Sequence, residues 1–404
     1  MDSQNLLDWL VVGLRWAHII AILGWVGASL YFNWLESKLR VPEPKRENVL
    51  GEAWMGHGGG FYIVEKRQIA AGQVPTPVYW FRVEAGVTWL TGFLLLVFVY
   101  YWTGGVDLLT PGTAVLGPQA AIAFAVGLML VAWIVYDLLW ASRFGQEKVA
   151  LATVVSLILL FAVVCLLCKL FNGRAAFIHV GSILGTNMVF SVWTRIIPSQ
   201  EEAVAATRAG RERNPVFALR ARRRALHNTY MTLPVVFTMI AVHAPGAYAH
   251  PLNWLVLSLL IAAGIAARHC MILFDRGRPA NWAWGAVAAA IVALGLLTVP
   301  AGVSPPSAVP EAEGRVPFAV VRGIVELRCA TCHAKVPSDS AFASAAGGLS
   351  FATPEEIAAR AVVIKASTLT TRTMPPNNKT RMTEEERVLI GRWVDQGARI
   401  QPSP

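Results

Sequence analysis

LLDWLVVGLRWAHIIAILGWVGASLYF, running from Leu6 to Phe32, decides the fold. A run this long with so few charges can cross the hydrocarbon of a bilayer, which takes about 20 residues as a helix. It does not read as a cleaved leader. No basic region precedes it, Asp2 and Asp8 are acidic, and it exceeds the length of a leader's apolar core. Runs of the same kind predict further spans at Phe81–Trp102, Pro118–Trp140, Val149–Phe171, Phe177–Ile197, Thr229–His243, Leu252–His269 and Trp282–Pro300. The sixth has a short apolar part interrupted by Pro234. The expectation is a transmembrane bundle of about eight spans.

Composition agrees. Of 404 residues, 55% are hydrophobic and 15% charged, and the mean hydropathy is +0.49. A soluble enzyme has a more charged profile. The net charge of +10 could suggest a nucleic-acid partner. The arginines fall between apolar runs, however, so membrane topology accounts for them and no nucleic acid is expected. Loops after odd-numbered spans hold the basic residues, seven of them arginines between Arg208 and Arg224, whereas the even loops hold only Lys169 and Arg174. The positive-inside bias then predicts odd loops in the cytoplasm and both termini outside.

Ala301 to Arg315, with Pro305, Pro306 and Pro310, reads as a semi-stiff linker. Beyond it the composition is that of a small soluble unit, 316–404. Val320, Ile324 and Leu327 space a helix leading into Cys329-Ala330-Thr331-Cys332-His333. C-x-x-C-H is the attachment signature of a c-type haem: two thiols for its vinyl groups and an imidazole for its iron. A zinc site would need further ligands, and no Cys or His follows His333; a thioredoxin-like site would need a βαβ setting. Met374, in Thr373-Met374-Pro375-Pro376, is the expected second axial ligand, with Met382 as the alternative. Thr353-x-x-Glu356 and Thr383-x-x-Glu386 are capping boxes that open two helices. The fold class expected is therefore all-α: a polytopic bundle, 1–300, then a small cytochrome c domain. Because c-type haem is attached outside a bacterial inner membrane, the motif and the charge bias predict one periplasmic placement. Cys165, Cys168 and Cys270 read as packed thiols.

Ionisable groups inside spans are costly and mark candidate sites. Arg15 and His18 share one face of the first helix. Glu84, Asp137, Arg195, His227 and His269 lie toward the cytoplasmic side, and His57 sits in the glycine-rich His57-Gly58-Gly59-Gly60-Phe61-Tyr62, a ligand loop or a tight turn. His18 with His179 or His243 could hold a b-type haem between helices.

The chain resembles the membrane-bound bacterial urate oxidases (urate hydroxylases), which join an eight-span domain to a C-terminal cytochrome c. The likeness rests on Arg15-Trp16-Ala17-His18-Ile19, Gly24-Trp25-Val26-Gly27-Ala28-Ser29, the His57 loop, Trp80-Phe81-Arg82-Val83-Glu84-Ala85, and His227-Asn228-Thr229-Tyr230-Met231-Thr232-Leu233-Pro234. It implies oxidation of urate to 5-hydroxyisourate with water as oxygen source, and electrons leaving through haem c to a soluble cytochrome c or terminal oxidase. It also implies Arg15, His18, His57, Glu84, His227, Asn228 and Tyr230 as site residues. The chemistry of a flat anion that loses protons suggests His18 or His227 as base and Arg15 or Arg82 as anion clamp. Two other classes compete: an electron-transfer subunit lacking its own substrate, and a quinone-reactive or transport module.

Overall fold

A computed structural model describes residues 3–109, 114–241, 243–248, 250–278, 281–298, 314–338, 345–346, 349–370, 372, 374–375, 378 and 380–400. The Pro-rich linker expected at 301–315 falls mostly outside these residues. The chain is largely helical, which satisfies the backbone N–H and C=O groups within each segment. The membrane-type helices are α1 (Ser3–Lys38), α2 (Arg82–Leu96, prolonged by a π turn to Tyr101), α3 (Pro118–Ala141), α4 (Val149–Leu170), α5 (Gly173–Ser191), α6 (Pro215–Ala241), α7 (Asn253–Asp275) and α8 (Asn281–Thr298). Helix α5 continues through a π turn, Val192–Ile196, into Ile197–Arg208.

Among the described residues, six of these helices are long and apolar enough to cross a membrane. Helix α6 falls short because Arg220, Arg222, Arg223 and Arg224 occupy its first turns, and the apolar part of α8, Trp282–Leu297, is shorter. Two expected boundaries shift for the same reason. The arginine-rich segment before Thr229 is helical rather than loop, and α5 starts at Gly173, where Asn172 caps it by accepting from Ala175 N–H at 2.9 Å. Pro234 does not end α6; its ring lies against Gly264 of α7, where a Cβ would sit 3.1 Å from it.

Helix α5 is the central staff. In its most apolar window 78% of residues are buried, against 6% in α1 and 33% in α7. Around it Phe177, Val180, Ala121, Ala125, Val164 and Leu257 form the main core. The outward faces of α1 and α3 show Trp16, Leu23, Leu130 and Ile134, side chains suited to lipid.

The all-α expectation needs one correction. The first loop folds into an antiparallel hairpin, β1 (Val49–His57) and β2 (Gly60–Arg67). His57 pairs with Gly60, and Gly58 and Gly59 take φ of +59° and +80° between them. That two-residue turn needs left-handed backbone at both positions, which glycine adopts freely.

The C-terminal unit has its own core of Val321, Val325, Ile357, Ile364, Ile390 and Trp393. Its helices are α9 (Phe318–Arg328), α10 (Ala330–His333), α11 (Pro354–Ala359), α12 (Ala361–Lys365) and α13 (Glu384–Asp395). Both predicted capping boxes form, at Thr353 and at Thr383. Phe318 of α9 meets Trp393 of α13 at 5.7 Å between ring centroids.

Candidate functional site

Helices α1, α2, α5 and α6 enclose a cavity of about 290 Å³. That lies at the small end of the range for ligand pockets, roughly 300–1,000 Å³. Arg15 and His18 of α1 line it, together with Arg174 at the start of α5 and His243 beyond α6. Arg15, Arg174 and His243 are exposed, so they form a basic rim, while His18 lies half-buried inside. Trp25 and Trp89 supply flat apolar wall. Trp89 stacks on Phe93 at 5.3 Å and donates its Nε1–H to Thr186 at 3.0 Å, which fixes its plane.

The hydrogen bonds around His18 fit one tautomer well. Thr91 Oγ1 donates its one proton to the Val87 carbonyl at 2.7 Å. It can then only accept from His18 Nδ1, 2.9 Å away. In that arrangement Nδ1 carries the hydrogen and Nε2 keeps a lone pair. Gly92 makes room for the ring: a Cβ there would lie 2.8 Å from His18 Cε1.

Of the seven residues expected at the substrate site, the cavity gathers only Arg15 and His18. His57 is exposed at the hairpin tip. Arg82 forms a solvent-side ion pair with Glu201 at 3.5 Å rather than facing the cavity. Glu84 is buried at Oε2 without a partner, near Gly24. Tyr230 bonds His269 at 2.7 Å. Asn228 donates to the Met188 carbonyl at 3.0 Å, just under the cavity wall. His227 accepts or donates at Tyr136 across 2.9 Å and lies 4.3 Å from the Trp140 ring.

His227 belongs to a second polar group at the arginine-rich end. Asp137 takes Arg195 on both carboxylate oxygens and Arg224 on Oδ1 at 2.7 Å. Arg224, 2% exposed, also covers the Tyr136 ring at 4.4 Å. This knot ties α3, α5 and α6 together. Arg174, Thr91 and Gly92 escaped the sequence reading. Arg174 passes for an ordinary loop charge, and the other two acquire their roles only when α1 lies alongside α2.

His179 is placed differently from the expected haem ligand. Its Nδ1 lies 2.7 Å from the Ala175 carbonyl, which can only accept, and Tyr101 OH bonds Nε2 at 2.8 Å. Neither nitrogen is left for a metal. No group of three or more His, Cys, Asp or Glu among the described residues could hold a bare metal ion.

In the C-terminal unit Cys329 and Cys332 are half-buried, are not joined by a disulfide, and flank one helical turn. Burial pushes the Cys329 thiol up to about 12, unlike the acidic thiols of redox C-x-x-C sites. His333 donates Nδ1–H to the Leu349 carbonyl at 2.8 Å, which leaves Nε2 with its lone pair. Met382 is buried at 3% in the core, whereas Met374 is 37% exposed. The Met374 backbone is held at both ends: its N–H donates to Ser367 at 2.9 Å and its carbonyl accepts from Arg387 at 2.9 Å.

Comparison with curated proteins and with solved structures finds no match to this chain. A match to a described family covers residues 4–299, which include every helix of the bundle and the whole cavity; the chain belongs to the urate oxidase N-terminal family.

Proposed function

We propose that the cavity binds urate and that the chain oxidises it to 5-hydroxyisourate. The observation that carries this is the meeting of two guanidinium groups and a base-form histidine in one aromatic-walled cavity, in a chain of this family. Urate is a flat anion near neutral pH. Arg15 and Arg174 offer planar paired donors to it, and Trp25 and Trp89 offer faces to its rings. The reaction balances as urate plus water giving 5-hydroxyisourate, two protons and two electrons. A C–O bond forms at the purine, and water O–H and purine N–H bonds break. His18 Nε2 holds the lone pair that takes the first proton.

The C-terminal unit fits a covalent c-type haem: Cys329 and Cys332 would attach it, and His333 Nε2 and the Met374 thioether would hold its iron. Such a haem would accept electrons singly and hand them to a soluble cytochrome c or terminal oxidase. The hydrogen bond from His333 Nδ1 to the Leu349 carbonyl would orient the imidazole toward an iron. A b-type haem on His18 and His179 does not fit, because His179 has no free nitrogen.

The charge bias supports eight spans in an inner membrane, with both termini periplasmic. The cavity rim at Arg174 then opens on the same side as the C-terminal unit, so electrons need not cross about 30 Å of hydrocarbon. The test is the visible spectrum of purified, air-oxidised protein as urate is added without oxygen. The haem α-band should appear with urate and stay absent with a quinol. An intact haem that urate leaves oxidised would mark the chain as an electron carrier instead. Arg15→Gln should raise KM about tenfold or more, since a charged hydrogen bond contributes roughly 1.5–3 kcal/mol. His18→Gln should lower kcat by about 10²–10⁴-fold.

A further inference from the structure

A buried polar atom without a partner costs about 1–3 kcal/mol, so native folds keep few and satisfy them with ordered water. Among the described residues, the orphaned buried side-chain atoms all lie at one end of the bundle. They fall on the first turn of α2, the C-terminal part of α5, the N-terminal part of α6 and the last third of α7. Cross-links show that these parts share an end: Arg82 of α2 pairs with Glu201, Asn228 of α6 bonds Met188 of α5, and Tyr230 of α6 bonds His269 of α7.

The orphans on α5 and α6 form a file below the cavity. Thr186, Met188 and Thr232 line its wall. Asn187, on the face of α5 turned away from the cavity, has Oδ1 unpaired. Thr232 donates to the Asn228 carbonyl at 2.9 Å, and Asn228 Oδ1 is unpaired as well. One turn farther, Ser191 is 0% exposed and its hydroxyl meets that of Tyr136. Tyr136 follows, bonded to His227 and covered by Arg224, whose Nη1 is also unpaired. Asp137 then leads to Arg195, whose side chain is 34% exposed. Donors and acceptors thus run from the cavity wall to the surface through otherwise apolar packing.

We infer that this file, Asn228 and Asn187 to Ser191, Tyr136 and Arg224, is a water-filled route between the cavity and the aqueous phase at the arginine-rich end. It rests on the urate reading for its purpose, since each urate consumes one water and releases two protons. It stands on the orphaned atoms for its existence. Water entering here supplies the oxygen. A proton leaving His18 passes to water in the file and out toward Arg195, with no net charge left on the side chains.

The experiment uses the full holoprotein in sealed vesicles of both orientations. Ser191→Cys changes one atom. A small cationic methanethiosulfonate reagent reacts only where water reaches. Ser191→Cys should be labelled from the arginine-rich face about tenfold faster than Val180→Cys, an equally buried position at the other end that must open locally to react. Equal rates for the two, or labelling from the opposite face, would overturn the route whatever urate does. As a second readout, Asn228→Leu should lower kcat about tenfold and raise the solvent deuterium isotope effect, with KM for urate unchanged. Unchanged kcat and isotope effect would also overturn it. If Ser191→Cys is labelled as expected but urate never reduces the haem, the route stands and the urate reading fails.

Discussion

The two ends of the bundle solve the problem of burial in opposite ways. At the end where α5 begins, the packing behind the cavity rim is closed around His179. His179 spends both nitrogens on protein partners and is ringed by Tyr100, Tyr101 and Phe171. Gly173 lets α5 touch the backbone of Tyr248, where a Cβ would lie 1.8 Å from the carbonyl oxygen. At the arginine-rich end, charge is buried around Asp137 and several polar atoms have no protein partner. The cavity lies between. Tight, satisfied packing positions helices; incompletely satisfied packing is where a membrane protein can admit water. The difference teaches that a buried histidine is a candidate for chemistry only if a nitrogen is spare, as in His18 and not in His179.

Several substitutions would break or sharpen this contrast. The largest effect should come from Asp137→Asn. It leaves Arg224 buried without its counter-charge, and breaking one partner of a buried pair costs about 3–5 kcal/mol. Thermal unfolding in detergent should show it, and a loss below about 1 kcal/mol would mean that water already serves Arg224. Next is Gly173→Ala at the closed end, where overpacking against backbone should cost about 1–3 kcal/mol. Retention of full stability would show that α5 is free to shift there. Tyr101→Phe should cost about 1–3 kcal/mol, because it orphans His179 Nε2 inside the core. The smallest effect is expected of Ser191→Ala, within about 1 kcal/mol of the parent, since its hydroxyl meets only that of Tyr136. If Ser191→Ala proves as costly as Tyr101→Phe, the two ends are not different in kind.

Much of the fold was legible because its signals are local. Apolar runs at Leu6–Phe32 and Val149–Phe171 must be helical in hydrocarbon, and the Thr353 and Thr383 boxes lie within four residues of themselves. The hairpin escaped because Gly58 and Gly59 form a turn only in combination with flanking strands of mixed character. Arg15 and His18 were legible at the site as charge and imidazole inside an apolar run. Arg174 was not, since an arginine at a helix start is ordinary, and neither was Thr91, whose role depends on which ring comes to lie beside it. Glu84, His57 and Tyr230 share the family's motifs with His18 but do not share its cavity.

The sequence by itself determined a helical membrane-type chain, its arginine-rich end and a C-terminal unit carrying C-x-x-C-H. Each is written in the hydropathy, charge or spacing of residues close along the chain. Only the tertiary structure decided which groups meet. It placed α1 against α2, so that Thr91 meets the His18 ring. It made α5 the central staff, so that Arg174 reaches the rim beside Arg15. It turned His179 into a satisfied core residue and Met382 into core, leaving the Met374 thioether exposed. Contacts between distant helices depend on packing and on the completion of hydrogen bonds, which no single stretch of sequence contains.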